Sequence, residues 1–268
     1  MIKIAVVVPV FRPAILPEEE YALRHLRKHL HQYDCYQISP MTLSFRVPGL
    51  RVMQFADTAF QSVDTYSQLL ISAGFYRAFA DYEFILIYQL DCVVFSDPLL
   101  EWCRRGYDYV GAPLFSSNRS VAAEFSGALN GGLSLRRVSS FLSVLSSPRY
   151  LQEPGSFLKD VFYGKINDSR STRGWQRWTK RVRVAREVRQ GVAAYTAGYT
   201  LNEDHFWSDR AAYFSPKFSV APPEVALDFA FEKSPAWCFE RNGRKLPFGA
   251  HAWSKYDRAF WQPHLLPS

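Results

Sequence analysis

The chain has 268 residues, 48% hydrophobic and 16% aromatic, enough apolar surface to bury a large core, which excludes a disordered segment or a short peptide. Lys and Arg number 32 against 25 Asp and Glu, and a net charge of +7 nominates polyanions: nucleic acid, anionic lipid or a phosphorylated substrate. The whole excess lies in residues 159–190, where ten basic side chains meet three acidic ones, so a balanced globular body carries one basic segment and a general nucleic-acid coat is disfavoured.

Residues 2–10 are β-branched and nearly all apolar, the pattern of a central strand covered on both faces. The run at 4–11 is short, contains Pro9 and has no small-residue cleavage site, so it reads as a buried strand rather than a signal peptide or membrane span, and the expected location is the cytoplasm. Residues 17–32 form the next predicted element, a helix with Leu23, Leu26 and Leu30 on one face and Glu18, Glu19 and Glu20 in its first turn. His25 and His29 on this helix read as part of a solvated face. Strands follow at 35–39 and 51–55, then a second amphipathic helix over 65–79, on which Tyr66 and Arg77 read as packing residues.

The strongest local signal is YEFILIYQLDCVVF at 82–95: a buried strand over 84–88 runs directly into Gln89, Leu90 and Asp91, at the strand end where open α/β sheets bind ligands. Asp97 caps a short helix through Trp102, and 107–113 is another strand. NGGLSLR at 130–136 reads as a glycine turn, followed by a helix over 138–145. Residues 147–198 read as a basic insertion or arm on one domain spanning 1–268. Pattern returns in NEDHFW at 202–207 and FGAHAW at 248–253. The alternation predicts an α/β fold with a central, mostly parallel, Rossmann-like sheet flanked by helices. The four cysteines, Cys35, Cys92, Cys103 and Cys238, are scattered without a C-x-x-C pair, which fits a reducing compartment and neither a disulfide scaffold nor a zinc cluster.

Each chemical candidate has a plainer alternative. Asp91 is a hard oxygen donor or a turn former, and His251 a metal ligand or a histidine packed between Phe248 and Trp253. Glu203 and Asp204 offer carboxylate chemistry, or simply favour the first turn of a helix opened by Asn202. Gly131 and Gly132 allow a ligand close approach, or make an ordinary turn. No P-loop, Gly-x-Gly-x-x-Gly or Gly-x-Ser-x-Gly stands at a usable place, which removes nucleoside triphosphatase, Rossmann dehydrogenase and ordinary esterase readings.

The order of these motifs (apolar first strand, YQLDCVVF, NGGLSLR, NEDHFW, FGAHAW) resembles a GT-A nucleotide-sugar glycosyltransferase. It is most similar to a little-characterised bacterial family met near polysaccharide-synthesis genes, over most of the chain except the basic segment. The resemblance implies sugar transfer, with inversion, from a nucleoside-diphosphate donor to a hydroxyl of a glycan or lipid-linked acceptor in surface polysaccharide synthesis. It implies Asp91 and His251 as ligands of Mn²⁺ or Mg²⁺, the imidazole tilting the preference to manganese. Asp204 takes the place of the base, and Glu203 contacts donor or acceptor hydroxyls. Asn130, Gly131 and Gly132 line the sugar and acceptor pocket, Pro9, Val10 and Arg12 meet the nucleotide base, and Asp57 and Thr58 reach base or ribose. Gln89 stands where such enzymes usually carry the first Asp of Asp-x-Asp, so the motif is degenerate. The basic segment, with Phe162, Tyr163, Trp175 and Trp178 among its charges, suits a peripheral contact with the inner membrane face or an anionic acceptor, or is a solvated loop. Two rival readings are a nucleotidyltransferase, and a non-catalytic scaffold docking on membrane or polyanion.

Overall fold

A computed structural model of the chain describes residues 2–116, 124–149 and 191–267, with the single positions 179, 182, 183 and 186. Apart from those four positions the basic segment 159–190, and with it most of the arm at 147–198, lies outside the described residues.

Strand β1 (Ile4–Pro9) is buried along its whole length, as its unbroken apolar run demands. Helix α1 (Pro17–His29) starts on a proline and carries acids in its first turn and Arg27, Lys28 and His29 in its last, both favourable to the helix dipole. Strands β2 (Asp34–Pro40) and β3 (Arg51–Phe55) follow. The single helix expected over 65–79 is two helices, α2 (Val63–Leu70) and α3 (Ala73–Arg77). The break has a local cause: the Ser72 hydroxyl donates to Leu69 O (2.7 Å) and accepts from Phe75 N (3.3 Å), ending one helix and capping the next.

Beyond β4 (Phe84–Tyr88) come a short β5 (Val93–Val94), α4 (Leu99–Arg104), β6 (Tyr109–Phe115), the long β7 (Phe125–Arg137) and α5 (Val138–Leu145). The chain continues through α6 (Val192–Ala197), α7 (Glu203–Asp209), α8 (Ala211–Phe214), α9 (Pro223–Phe229), β8 (Ala230–Phe231), α10 (Pro235–Arg241), β9 (Gly249–Ala250) and α11 (Arg258–Trp261).

The main sheet has the order β3-β2-β1-β4-β7-β6. Its first four strands are parallel, and β7 runs antiparallel to both β4 and β6, so the fold is mixed α/β with a mostly parallel central sheet flanked by helices. A second sheet, β5-β9-β8, is antiparallel between β5 and β9 and parallel between β9 and β8.

Two sequence expectations are corrected here. The NGGLSLR segment is no turn: it lies inside β7. After Gly111 pairs with Ser134, regular spacing would set Pro113 opposite Gly132, yet Pro113 faces Leu129, so β7 carries a wide bulge at Asn130, Gly131 and Gly132. The Asn130 side-chain oxygen accepts from Gly132 N at 2.7 Å and stabilises that bulge. His25 is not solvated but buried, with Nδ1 2.7 Å from Val94 O and Nε2 accepting from Leu266 N at 3.0 Å, which ties α1 to β5 and to the C-terminal segment. Among the described residues no helix is long and apolar enough to cross a membrane.

Candidate functional site

A cavity of about 640 Å³ opens at the carboxyl ends of β1 and β4, the edge at which a parallel sheet presents backbone and loop groups to a ligand. Pro9, Val10 and Arg12 line it from the loop after β1, Gln89 and Asp91 from the end of β4, and Asn130, Gly131 and Gly132 from the β7 bulge. Glu203 and Asp204 enter from the first turn of α7, and His251 from the end of β9. Asp57 and Thr58 do not join them: both lie in a 3-10 turn (Asp57–Phe60) outside the lining, where Asp57 Oδ1 accepts from Thr42 N at 3.1 Å.

The small sheet explains how residues so distant in sequence meet. Val93 of β5 pairs with Ala250 of β9, which in turn pairs with Phe231 of β8. Antiparallel pairing puts the start of β5 beside the end of β9, and parallel pairing puts the end of β8 there too. Asp91, His251 and Glu232 therefore converge at one edge. His251 N donates to Phe231 O (2.9 Å) and Trp253 N to Asp91 O (3.3 Å), locking the convergence.

His251 is buried, with Nε2 3.2 Å from Gln89 Oε1 and 3.5 Å from Asp91 Oδ1, and Nδ1 3.7 Å from Glu232 Oε1. Burial works against a charged imidazole, but the Glu232 carboxylate and the charges of Asp91 and Asp204 outweigh it and raise its pKa. Asp91 Oδ1, Glu232 Oε2, His251 Nδ1 and the Tyr66 hydroxyl are buried without a hydrogen-bond partner among the described residues, the condition of a site made for a guest. Ligand atoms of Asp91, Cys92 and His251 lie within 4.8 Å of one another. The Cys92 thiol belongs to the core instead: it donates to Gly132 O at 3.4 Å, and burial pushes its pKa well up, keeping it protonated. The remaining oxygen and imidazole donors suit a hard divalent cation.

The two neighbouring acids of α7 differ sharply. Both Glu203 oxygens are taken by the fully buried Arg136, at 2.7 and 3.1 Å, while the same guanidinium donates to Ser134 Oγ (2.9 Å), Tyr76 Oη (3.0 Å) and Gly131 O (3.1 Å). Burial raises the Glu203 carboxyl above its ordinary range, and the permanently charged Arg136 guanidinium works against that rise and favours the carboxylate. This carboxylate clamps α7 to the bulge rather than standing free for a sugar hydroxyl. Among the described residues no guanidinium is bound to Asp204, whose Oδ1 accepts from His205 N at 2.8 Å, and burial raises its pKa.

The glycines serve these contacts. A Cβ on Gly131 would overlap the Glu203 carboxylate, and one on Gly132 would overlap the His251 ring and sit 2.8 Å from Gln89 Oε1. Sequence reasoning gave Tyr66 only a packing role and gave none to Arg136, Glu232 or Lys255; Arg136 secures the bulge, and Tyr66, Glu232 and Lys255 line the cavity. Arg12, assigned to a nucleotide base, is paired with Glu19 at the start of α1.

The family model described as a protein of unknown function, DUF5672, matches residues 49–251. The chain belongs to that family. No curated protein matches it. Solved structures similar to it include the glycosyltransferase GlyE of Streptococcus pneumoniae TIGR4, at 14% identity and a TM-score of 0.44, with 99% of this chain and 61% of that one covered. The chain thus spans about 61% of the length of GlyE. Mouse xyloside xylosyltransferase 1 matches at 10% identity and a TM-score of 0.47, covering 94% of this chain and 98% of that one. A glycosyltransferase involved in glycosylation of the major capsid of PBCV-1 matches at 10% identity and a TM-score of 0.45, with 98% of each chain covered. Likeness at this level carries no argument about activity, and the DUF5672 site has to be read from its own chemistry.

Proposed function

We propose that this DUF5672 protein is a metal-assisted glycosyltransferase that moves a sugar from a nucleoside-diphosphate donor to a hydroxyl of a glycan or lipid-linked acceptor, with inversion, in the synthesis of surface polysaccharide. The observation that carries the reading is the charge of the cavity. Of its five lining carboxylates, Glu19 is matched by Arg12 and Glu203 by Arg136, which leaves three acids, Asp91, Asp204 and Glu232, against the His251 imidazole and the exposed Lys255. Such a pocket repels a diphosphate unless a cation sits between them.

Asp91 and His251 are the residues to hold that cation, Mn²⁺ or Mg²⁺, with Gln89 Oε1 beside them as a neutral oxygen. A divalent ion bound there would offset the charge of the diphosphate leaving group. Asp204 takes the proton of the acceptor hydroxyl: the acceptor oxygen forms its bond to the anomeric carbon while the bond from that carbon to the diphosphate oxygen breaks, and its electron pair leaves with the nucleoside diphosphate. Burial makes Asp204 a stronger base than an exposed aspartate, which suits it to that step. Asn130, Gly131 and Gly132 present backbone rather than side chains to the sugar, and Arg136 with Glu203 fixes the distance between this backbone and α7.

The test is release of nucleoside diphosphate from a panel of nucleotide sugars, after chelation and with Mn²⁺ or Mg²⁺ restored. Asp204→Asn should lose about 10²–10⁴-fold in transfer while keeping donor affinity. Near-normal turnover in that variant overturns the assignment of the base. Absence of both product and any thermal shift with nucleoside diphosphates plus Mn²⁺ overturns the enzyme reading in favour of a scaffold.

A further inference from the structure

Glu232 has no place in the motifs that drew attention to the site, yet it is 7% exposed and its Oε2 has no hydrogen-bond partner among the described residues. An ionised carboxylate in that setting is costly, and folds retain one where a neighbour needs it. The neighbour is His251. The parallel pairing of Phe231 with Ala250, together with the bond from His251 N to Phe231 O at 2.9 Å, makes Glu232 and His251 leave their strands side by side. Glu232 Oε1 and His251 Nδ1 face each other at 3.7 Å, roughly 0.5 Å beyond hydrogen-bond reach, and Nδ1 has no other partner among the described residues. The opposite ring nitrogen points at Gln89 Oε1 (3.2 Å) and Asp91 Oδ1 (3.5 Å).

We propose that Glu232 is a positioning residue for His251: it accepts from Nδ1–H and fixes the ring plane, so that Nε2 faces Gln89 Oε1 and Asp91 Oδ1, donating to them when it carries a proton and turning its lone pair to a cation that takes the proton's place. This is the role a carboxylate plays behind a metal-bound imidazole, where it sets orientation and raises ligand basicity. The consequence for a cation rests on the metal-assisted reading above; the orientation of the ring does not.

The experiment uses the full chain, histidine-labelled with ¹⁵N, with His251 resonances identified by their loss in His251→Gln. Nitrogen-detected NMR on metal-free protein reads the protonation pattern of Nδ1 and Nε2, and electron paramagnetic resonance of free Mn²⁺ reads binding of the metal alone. Glu232→Gln should move the His251 nitrogen resonances and lower Mn²⁺ affinity about 10–100-fold, with the far-ultraviolet circular dichroism unchanged. Glu232→Asp keeps the carboxylate one methylene shorter and should fall between. Unchanged His251 resonances in Glu232→Gln overturn the proposal, as does Mn²⁺ affinity within about twofold of a wild type that binds the ion. If wild type binds no Mn²⁺ but Glu232→Gln still moves the His251 resonances, the metal reading falls and the positioning of His251 stands. Should Glu232→Gln fail to fold, Glu232→Asp carries the same comparison.

Discussion

Glu203→Gln preserves the size of the side chain and removes its charge, which isolates the clamp between α7 and the β7 bulge. Arg136 is 0% exposed, and each of its N–H groups has an acceptor: one on Ser134, one on Tyr76, one on Gly131 and the last two on Glu203. In the variant the guanidinium remains charged, and the new amide must turn its own N–H₂ toward one of the donors. Removing one partner of a buried pair costs about 3–5 kcal/mol. At about 2–4 °C per kcal/mol for a chain of this size, the melting temperature should fall by roughly 6–20 °C. Thermal unfolding at pH 7, with urea titration to check that the slope against denaturant is unchanged, measures it. Replacing both partners by apolar residues, Arg136→Met with Glu203→Leu, should recover part of the loss, because no charge is then stranded. A fall of less than about 2 °C in Glu203→Gln would refute the reasoning, since only an exposed or unpaired carboxylate loses so little.

Asp204→Asn should behave in the opposite way, melting at the same temperature as wild type or higher at pH 7. A carboxyl whose pKa is raised by folding adds stability only below its unfolded value, near 3.9, and loses that contribution as pH rises through the folded one. The same shift places the acid limb of the transfer rate above the ordinary aspartate range; a limb below about pH 4 contradicts it. Gly132→Ala should weaken Mn²⁺ binding at least about tenfold by displacing His251 and Gln89, and unchanged binding would refute the close approach. All four cysteines are buried, with burial pushing Cys35 up to about 11 and Cys103 and Cys238 up to about 12, so a thiol reagent at pH 8 should find none in native protein and all after denaturation. Cys92→Ala should bind Mn²⁺ as wild type does; a large loss would make the thiol a ligand.

How far the sequence could be read depended on whether an element's cause was local. β1 and β4 were legible because a strand buried on both faces has no polar positions, and α1 because its leucine face and first-turn acids mark a helix, although it ends at His29 rather than at 32. The break at Ser72 was not, since one serine in an apolar helical pattern is tolerated and only its two hydrogen bonds reveal the cap. The Gly131-Gly132 pair was misread for a deeper reason. Adjacent glycines are a strong turn signal within a short window, whereas here they are required by Glu203 and His251, which press on them from far along the chain. His25 failed similarly: its partners, Val94 O and Leu266 N, belong to segments that no helical period could bring near.

The site divides along the same line. Asp91, Asp204 and His251 drew attention because they sit in recognisable motifs, and the structure brings them to one cavity. Glu232 follows a strand of only two residues, too short to register as periodicity, and Arg136 stands beside Arg137 at the end of a segment read as a turn, where a basic side chain is expected in solvent. What neither motif nor composition contained was the sign of the field. The chain is basic overall, which on counting alone favours a diphosphate, although outside residues 159–190 its charges balance. At the cavity Arg12 is bound to Glu19 and the buried Arg136 holds Glu203, so the three unmatched carboxylates, Asp91, Asp204 and Glu232, outnumber the one exposed cation, Lys255. Net charge governs approach over distances set by the Debye length, about 8–10 Å at ordinary salt. Within the pocket only the unpaired, poorly solvated groups count, so a basic protein there requires a cation before it can accept an anionic donor.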